Sequence, residues 1–74
     1  SRPDLLIDNI AIEIKGPTDT KDLATIADKC TRYGQQFEKI IVVLFQIKVT
    51  YQYWKDWKNG IDTQFSQTTE IIEK

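Results

Sequence analysis

The chain has 74 residues, enough for one small domain over residues 1–74 and too few for a second. Its composition, 41% hydrophobic and 28% charged, is typical of globular proteins, and no apolar run approaches the roughly 20 residues of a membrane helix. Histidine is absent and Cys30 is the single cysteine, which excludes histidine-based triads, histidine metal sites and an internal disulfide. The net charge of −1 argues against a strongly basic nucleic-acid-binding surface.

The first fifteen residues predict a β-hairpin. Asp8-Asn9 suits a two-residue turn, because both residue types tolerate the backbone angles that such a turn needs. The cross-strand pairs would then be Ile7 with Ile10, Leu5 with Ile12, and Asp4 with Glu13. Since side chains alternate between faces along a strand, one face is apolar throughout and carries Leu5, Ile7, Ile10, Ile12 and Ile14. The other face is mixed and carries Asp4, Leu6, Ala11, Glu13 and Lys15.

The mixed face holds the residues of chemical interest. Asp4 and Glu13 would stand opposite each other, roughly 5 Å apart at Cβ, where two like charges are destabilising. A divalent cation between them is the interesting remedy, because carboxylate oxygens are the ligands such ions prefer. Lys15 lies two residues beyond Glu13 on the same face and adds a positive charge. The alternative interpretation is a surface ion cluster on a solvent-facing strand pair, in which Lys15 alone neutralises the carboxylates.

A helix and a strand follow the hairpin. Gly16-Pro17 ends the second strand, and Asp19 with Asp22 predicts a capped helix start. The next apolar positions have helical spacing: Leu23, Ile26, Ala27, Cys30, Gly34 and Phe37. Residues 39–45 are continuously apolar and rich in β-branched residues, which predicts a strand buried on both faces. Strand, helix and strand in this order predict a right-handed parallel crossover.

The segment over residues 46–61 fits two patterns. A strand is indicated by alternating apolar residues: Ile47, Val49, Tyr51 and Tyr53. A helix is indicated by the spacing of Tyr53, Trp54, Trp57 and Ile61, with Gly60 as a possible stop. Residues 69–73 predict a short edge strand.

Taken together, Pro3-Asp4, a strand, a turn, a second strand with Glu13-Ile14-Lys15, a helix and an apolar strand resemble the PD-(D/E)xK nuclease superfamily. The resemblance runs from about Arg2 to Phe45 and is nearest in look to the resolvase, Mrr-like and VRR-type branches. It implies an α/β restriction-endonuclease-like core with a small mixed sheet, in the order β-hairpin, helix, buried strand, helix, short edge strand. It also favours a helix over about Tyr51 to Asn59. The superfamily core normally opens with a helix and a strand before the Pro-Asp strand, and both are missing here.

The resemblance implies a metal-dependent nuclease that hydrolyses phosphodiester bonds of nucleic acid, DNA rather than RNA, with Mg²⁺ or Mn²⁺ as cofactor. It assigns catalysis to Asp4, Glu13 and Lys15. The metal would be held by Asp4, Glu13 and the backbone carbonyl of Ile14, and Lys15 would orient the attacking water or stabilise the transition state. Candidate nucleic-acid contacts lie on the following helix: Lys29, Arg32 and Tyr33. Tyr33 matches the tyrosine of a glutamine–tyrosine pair found in some branches, with Lys29 in the glutamine position.

Partners and rival functions follow from what is missing. A hairpin without its neighbouring strand has an exposed edge, and a core of this size is marginal, so we expect a homo-oligomer. The leading alternative function is a non-catalytic nuclease-like fragment that acts as an oligomerisation or nucleic-acid-binding module. A third hypothesis, a structural domain with a coincidental match, predicts that Asp4 and Glu13 lie far apart. The single cysteine and the lack of a signal-like segment predict an intracellular location, cytoplasmic or nucleoid.

Overall fold

A computed structural model describes residues 2–74 as an α/β unit. The elements in chain order are β1 (Leu5–Ile7), β2 (Ile10–Lys15), α1 (Thr20–Tyr33), β3 (Lys39–Leu44), α2 (Tyr51–Phe65) and β4 (Thr69–Glu73). They form one four-stranded sheet in the order β1-β2-β3-β4, with β1 antiparallel to β2 and the other neighbours parallel. The predicted small mixed α/β sheet is confirmed, and so is the edge strand over residues 69–73. Neither helix within residues 2–74 has the length and apolar character that crossing a membrane requires.

The hairpin has the predicted register. Leu5 pairs with Ile12 and Ile7 with Ile10. The turn residue Asp8 has a φ of 54°, a left-handed conformation that aspartate tolerates better than most residues. Turn chemistry and strand alternation together therefore determine the pairing of this segment.

Both helices pack on the same face of the sheet. The chain passes from β2 to β3 to β4 in spatial order, and two crossovers of the same hand in the same direction put both helices on one side. The core between helices and sheet consists of Ala11, Leu23, Ile26, Cys30, Tyr33, Ile40, Val42, Leu44 and Trp54. The indole N–H of Trp57 donates to the backbone carbonyl of Leu23 at 2.9 Å, which ties α2 to α1.

The opposite face of the sheet is apolar and open. It carries the side chains that alternate away from the core: Leu5, Ile7, Ile10, Ile12, Ile14, Ile41, Val43 and Ile72. Leu5, Ile7 and Ile14 remain 49%, 55% and 45% exposed. The prediction that residues 39–45 are buried on both faces is therefore wrong. Ile41 and Val43 are only half-buried, because both helices lie on the other side.

Helix α1 begins as predicted. The Asp19 side chain accepts a hydrogen bond from the Asp22 backbone N–H at 2.9 Å, and the Asp22 side chain accepts one from the Asp19 N–H at 2.9 Å. This reciprocal box satisfies two backbone donors that would otherwise be unpaired at a helix start.

Helix α2 confirms the helical alternative, but the predicted end at Asn59 is wrong. The helix continues through Gly60, which has a negative φ, and ends at Phe65. Ile61 is 3% exposed and extends the apolar stripe that begins at Trp54. Burial of a large aliphatic side chain is worth about 1.5–3 kcal/mol and outweighs the roughly 1 kcal/mol that glycine costs inside a helix.

Gly60→Ala should stabilise the protein by about 0.5–1 kcal/mol, since glycine has no conformational role there. A Cβ at this position meets nothing within 4 Å. The midpoint of thermal unfolding should rise by several degrees, since about 1 kcal/mol shifts it by roughly 4–8 °C in a domain of this size. Circular dichroism melts measure this. The control is Gly16→Ala, whose Cβ would stand 2.6 Å from the Cβ of Phe45 and should destabilise the fold. An unchanged or lower midpoint for Gly60→Ala would contradict this account of α2.

Candidate active site

Glu13 lies on β2, on the sheet face that the helices cover. Strand alternation places it on the same face as Ala11, and the structure leaves Glu13 4% and Ala11 0% exposed. The interpretation of Glu13 as part of a solvent-facing ion cluster is therefore wrong. A buried carboxylate needs a charged partner or a ligand, because burial without one is costly.

The charged partner of Glu13 comes from helix α1. The Lys29 Nζ lies 2.9 Å from Glu13 Oε2, and the two side chains are 26% and 6% exposed. The hydrogen bond to Glu13 is the main reason why the pKa of Lys29 is raised, with smaller contributions from the charges of Glu13 and Asp4. Lys29 therefore faces the site, one turn before Tyr33 on the same helix.

The other oxygen of Glu13, Oε1, is buried and has no hydrogen-bond partner within residues 2–74. A buried acceptor without a donor costs about 1–3 kcal/mol, and more when it is charged. Such an atom calls for a specific explanation, and an oxygen ligand for a cation is one.

Asp4 lies directly before β1, where the backbone hydrogen bonds of the hairpin end. Its Oδ2 accepts a hydrogen bond from the Ile14 backbone N–H at 2.8 Å. In the hairpin register the residue opposite Ile14 is Pro3, which has no N–H to donate to the Ile14 carbonyl. The Asp4 carboxylate, the Ile14 carbonyl and the Glu13 side chain are thus gathered at one end of β2. The hydrogen bond from the Ile14 N–H places Asp4 beside the residue that follows Glu13, whereas the coincidental-match hypothesis predicts that Asp4 and Glu13 lie far apart.

Lys15 forms its ion pair with Asp22 and not with Glu13. Its amine lies 3.4 Å from Asp22 Oδ1 at the start of α1, and its side chain is 48% exposed. The pKa of Asp22 is lowered, chiefly by the hydrogen bond from the Asp19 backbone N–H, with Lys15 a lesser cause. Lys29, not Lys15, is thus the lysine that neutralises Glu13. Exposed ion pairs are weak, so the Lys15 amine is readily released.

The predicted nucleic-acid contacts occupy different environments. Arg32 is exposed in the last turn of α1, whereas the Lys29 amine is engaged by Glu13. Tyr33 is 1% exposed and packs edge-on against Phe37, with ring centroids 5.7 Å apart and planes at 74°. Tyr33 therefore belongs to the core, whereas the Arg32 side chain lies at the surface.

A groove beside Pro3-Asp4 was not foreseen from the sequence. It has a volume of about 410 Å³ and is lined by Arg2, Pro3, Leu6, Gln36 and Phe37. In the groove the first described residues lie next to the end of α1. These two segments are far apart in the sequence, so their proximity could not be predicted from it. The groove offers a cation and an aromatic ring next to the carboxylate end of the hairpin.

Cys30 lies on the core side of α1, and burial raises the pKa of its thiol to about 11. A raised folded-state pKa stabilises the protonated form. The free energy of unfolding should therefore hold below about pH 8.5, the unfolded thiol value, and fall as the pH rises towards 11. Urea titrations from pH 8 to 10.5 measure this. Cys30→Ala should be less stable near neutral pH but lose this part of the slope, and an identical slope in both proteins would contradict the assignment.

Glu13, Asp4 and the Ile14 backbone carry oxygen atoms of the kind that Mg²⁺ and Mn²⁺ bind. Within residues 2–74 the side chains include no group of three or more acidic, histidine or cysteine residues placed to hold a metal ion. Mg²⁺, however, commonly binds through one or two carboxylates and keeps waters and phosphate oxygens as its other ligands. Glu13 and Asp4 supply carboxylates of this type, and the Oε1 atom of Glu13 is buried without a hydrogen-bond partner in residues 2–74.

No family model, curated protein or solved structure matches the chain.

Proposed function

We propose that the protein is a metal-dependent nuclease that hydrolyses phosphodiester bonds of nucleic acid, with DNA preferred as the resemblance implies. The observation that carries the proposal is the buried Glu13 carboxylate, one oxygen of which has no hydrogen-bond partner in residues 2–74; Asp4 accepts a hydrogen bond from the next residue, Ile14. Most buried side-chain acceptors in proteins have a donor, and a bound ion is one explanation for an acceptor that has none.

Each residue has a distinct role in this proposal. Asp4, Glu13 and the Ile14 carbonyl oxygen would hold the cation, which when bound activates water and offsets charge on the phosphate. Lys15 lies two residues beyond Glu13 and leaves its exposed pair with Asp22 to bring positive charge to the phosphate. Arg2, which lines the groove beside Pro3, and Arg32, in the last turn of α1, are both exposed and would contact backbone phosphates.

The test is cleavage of labelled single-stranded, duplex and branched DNA with Mg²⁺, with Mn²⁺ or with EDTA. We expect metal-dependent cutting that Lys15→Ala reduces by about 10²–10³-fold, the usual loss when one charge-stabilising donor is removed. Lys21→Ala is the matched control, since Lys21 is an exposed lysine in the first turn of α1. Cutting that persists in EDTA, or a folded protein that cuts none of the substrates, would overturn the proposal.

A second candidate function is a non-catalytic module that associates with another copy of itself. The open face of the sheet favours it: apolar patches of a few hundred Å² or more usually mark interaction sites. Four strands spaced about 4.8 Å apart make this face roughly 15–20 Å on a side. Its charged residues, Lys39 and Glu70, lie 3.3 Å apart and cancel each other. Such a neutral apolar face suits a second identical face better than a polyanion.

Ile7→Lys should therefore dissociate the protein, whereas Leu6→Lys should not. The two neighbours on β1 are equally exposed, at 55% and 53%, but Ile7 points to the open face and Leu6 to the helix side. Sedimentation velocity at rising protein concentration should show a dimer for the native chain and for Leu6→Lys, and a monomer for Ile7→Lys. A native monomer at high concentration contradicts self-association, and equal dissociation of both variants would place the contact elsewhere.

A further inference from the structure

The site contains two lysines, and the one that contacts the buried carboxylate is outside the Glu13-Ile14-Lys15 motif. Lys29 Nζ holds Glu13 Oε2 at 2.9 Å, while the Glu13 Oε1 atom has no partner within residues 2–74. Lys15 instead pairs with Asp22. One oxygen of this carboxylate therefore binds an ammonium, and the other is the oxygen to which the proposed function assigns a cation.

Occupation of both oxygens by cations is electrostatically unfavourable. The two oxygens of a carboxylate belong to one small group, so a divalent ion on Oε1 would stand close to the Lys29 ammonium. Glu13 is 94% removed from solvent, as its side-chain exposure of 6% shows, and repulsion between like charges is poorly screened there. Lys29 and a divalent cation therefore compete for Glu13.

The Lys29 side chain is flexible and partly exposed, so its amine can leave Glu13. Its amine sits on a flexible four-carbon chain, and the side chain is still 26% exposed. A change of rotamer can carry the amine towards solvent while α1 stays in place. Released at the mouth of the site, the ammonium is available to an anionic phosphate oxygen.

We infer that Lys29 is an exchangeable counter-ion: it neutralises Glu13 in the cation-free site and transfers its charge to a nucleic-acid phosphate when a divalent cation binds Glu13. The inference rests on the proposed function and adds regulation to it. Cation binding and polyanion binding then strengthen each other, and this coupling is reciprocal. In the cation-free protein the Lys29–Glu13 pair is neutral and the Asp4 carboxylate keeps its negative charge, so the protein holds nucleic acid weakly.

The first experiment is calorimetric titration of Mn²⁺ into the native protein, Lys29→Gln and Lys29→Arg. Glutamine can still donate a hydrogen bond to Oε2 but carries no charge, so Mn²⁺ should bind Lys29→Gln about tenfold more tightly, within the usual range of such couplings. Lys29→Arg keeps the charge and should bind Mn²⁺ about as the native protein does. Lys21→Gln removes an exposed charge from the same helix and should leave the affinity unchanged.

The second measurement needs no variant at Lys29. In the native protein the ¹³Cε–¹⁵Nζ signals of Lys29 should shift as Mg²⁺ is added, while those of Lys39 stay in place. Binding of a phosphorothioate duplex, followed by fluorescence anisotropy, should tighten with Mg²⁺ by a larger factor in the native protein than in Lys29→Gln.

The outcomes separate the two proposals. Equal Mn²⁺ affinity in the native protein and Lys29→Gln, with unmoved Lys29 signals, would overturn the counter-ion role and leave the metal site standing. Absence of Mn²⁺ binding in both proteins would overturn the metal site and the exchange together. Tighter binding in Lys29→Gln that disappears when Glu13→Gln is added supports both.

Discussion

Glu13→Gln should abolish metal-dependent cleavage, by at least about 10²–10³-fold, while the domain stays folded. Glutamine has nearly the same shape and retains an acceptor for the Lys29 amine, so packing around this buried position is kept. It removes the negative charge that a divalent cation requires. Single-turnover cleavage measures the chemical loss, and a thermal melt measures the fold. Glu38→Gln, at an exposed position before β3, is the control and should cut normally.

Asp4→Asn is the companion to this experiment. The Asn side-chain oxygen can still accept the hydrogen bond from the Ile14 N–H, so the end of the hairpin is maintained while the charge is lost. Asp4→Ala loses both, and its effect on activity would mix structure with chemistry. Cleavage retained by Glu13→Gln or by Asp4→Asn would remove that carboxylate from the mechanism.

Lys29→Met should destabilise the protein by about 2 kcal/mol. Removing one member of a fully buried ion pair costs about 3–5 kcal/mol, because the other charge is left without compensation. The partial exposure of Lys29, 26%, lets water reach the site and reduces that cost. The reason for the loss is the isolated Glu13 carboxylate, so Lys29→Met combined with Glu13→Leu should recover most of the stability.

A double-mutant cycle measures this coupling: urea unfolding is compared among the native protein, the two single variants and the double variant. Lys39→Met serves as the comparison, since Lys39 and Glu70 form an ion pair at 3.3 Å with both side chains about half exposed. That substitution should cost less than about 1 kcal/mol, as exposed pairs do. A Lys29→Met variant as stable as the Lys39→Met variant would mean that the Lys29–Glu13 contact carries no net stabilisation.

Local patterns were sufficient for the elements and for part of the site. The Asp8-Asn9 turn and the alternation of apolar residues predict a hairpin register that the structure confirms. The Asp19 capping box is confirmed as well. These features depend on residues close in sequence, whose interactions a local reading can follow. The same register brings Asp4 next to Ile14 and thereby assembles the carboxylate end of the site.

Partners at the site could not be predicted in the same way. Strand alternation predicts that Lys15 lies on the same face as Glu13 and neutralises it. In the structure the Lys15 amine pairs with Asp22, and Lys29 forms the ion pair with Glu13. Sixteen positions separate Lys29 from Glu13, and only the packing of α1 on β2 brings them together. The end of α2 differs from the prediction for a related reason. Gly60 locally favours a helix end, but burial of Ile61 in the tertiary structure outweighs that preference, and the helix continues to Phe65.

The sequence by itself determined the hairpin, the helix start, the strand order along the chain and the identity of the carboxylates. Only the tertiary structure decided which face of the hairpin is covered. The covered face is the mixed one with Ala11 and Glu13, and the fully apolar face is open. The alternation of side chains along a strand shows which residues share a face, but not which face the helices cover. The two crossovers run in the same direction across the sheet and place both helices on a single side of it. That choice buries Glu13 and leaves its Oε1 atom without a hydrogen-bond partner among residues 2–74, the observation on which the proposed function rests.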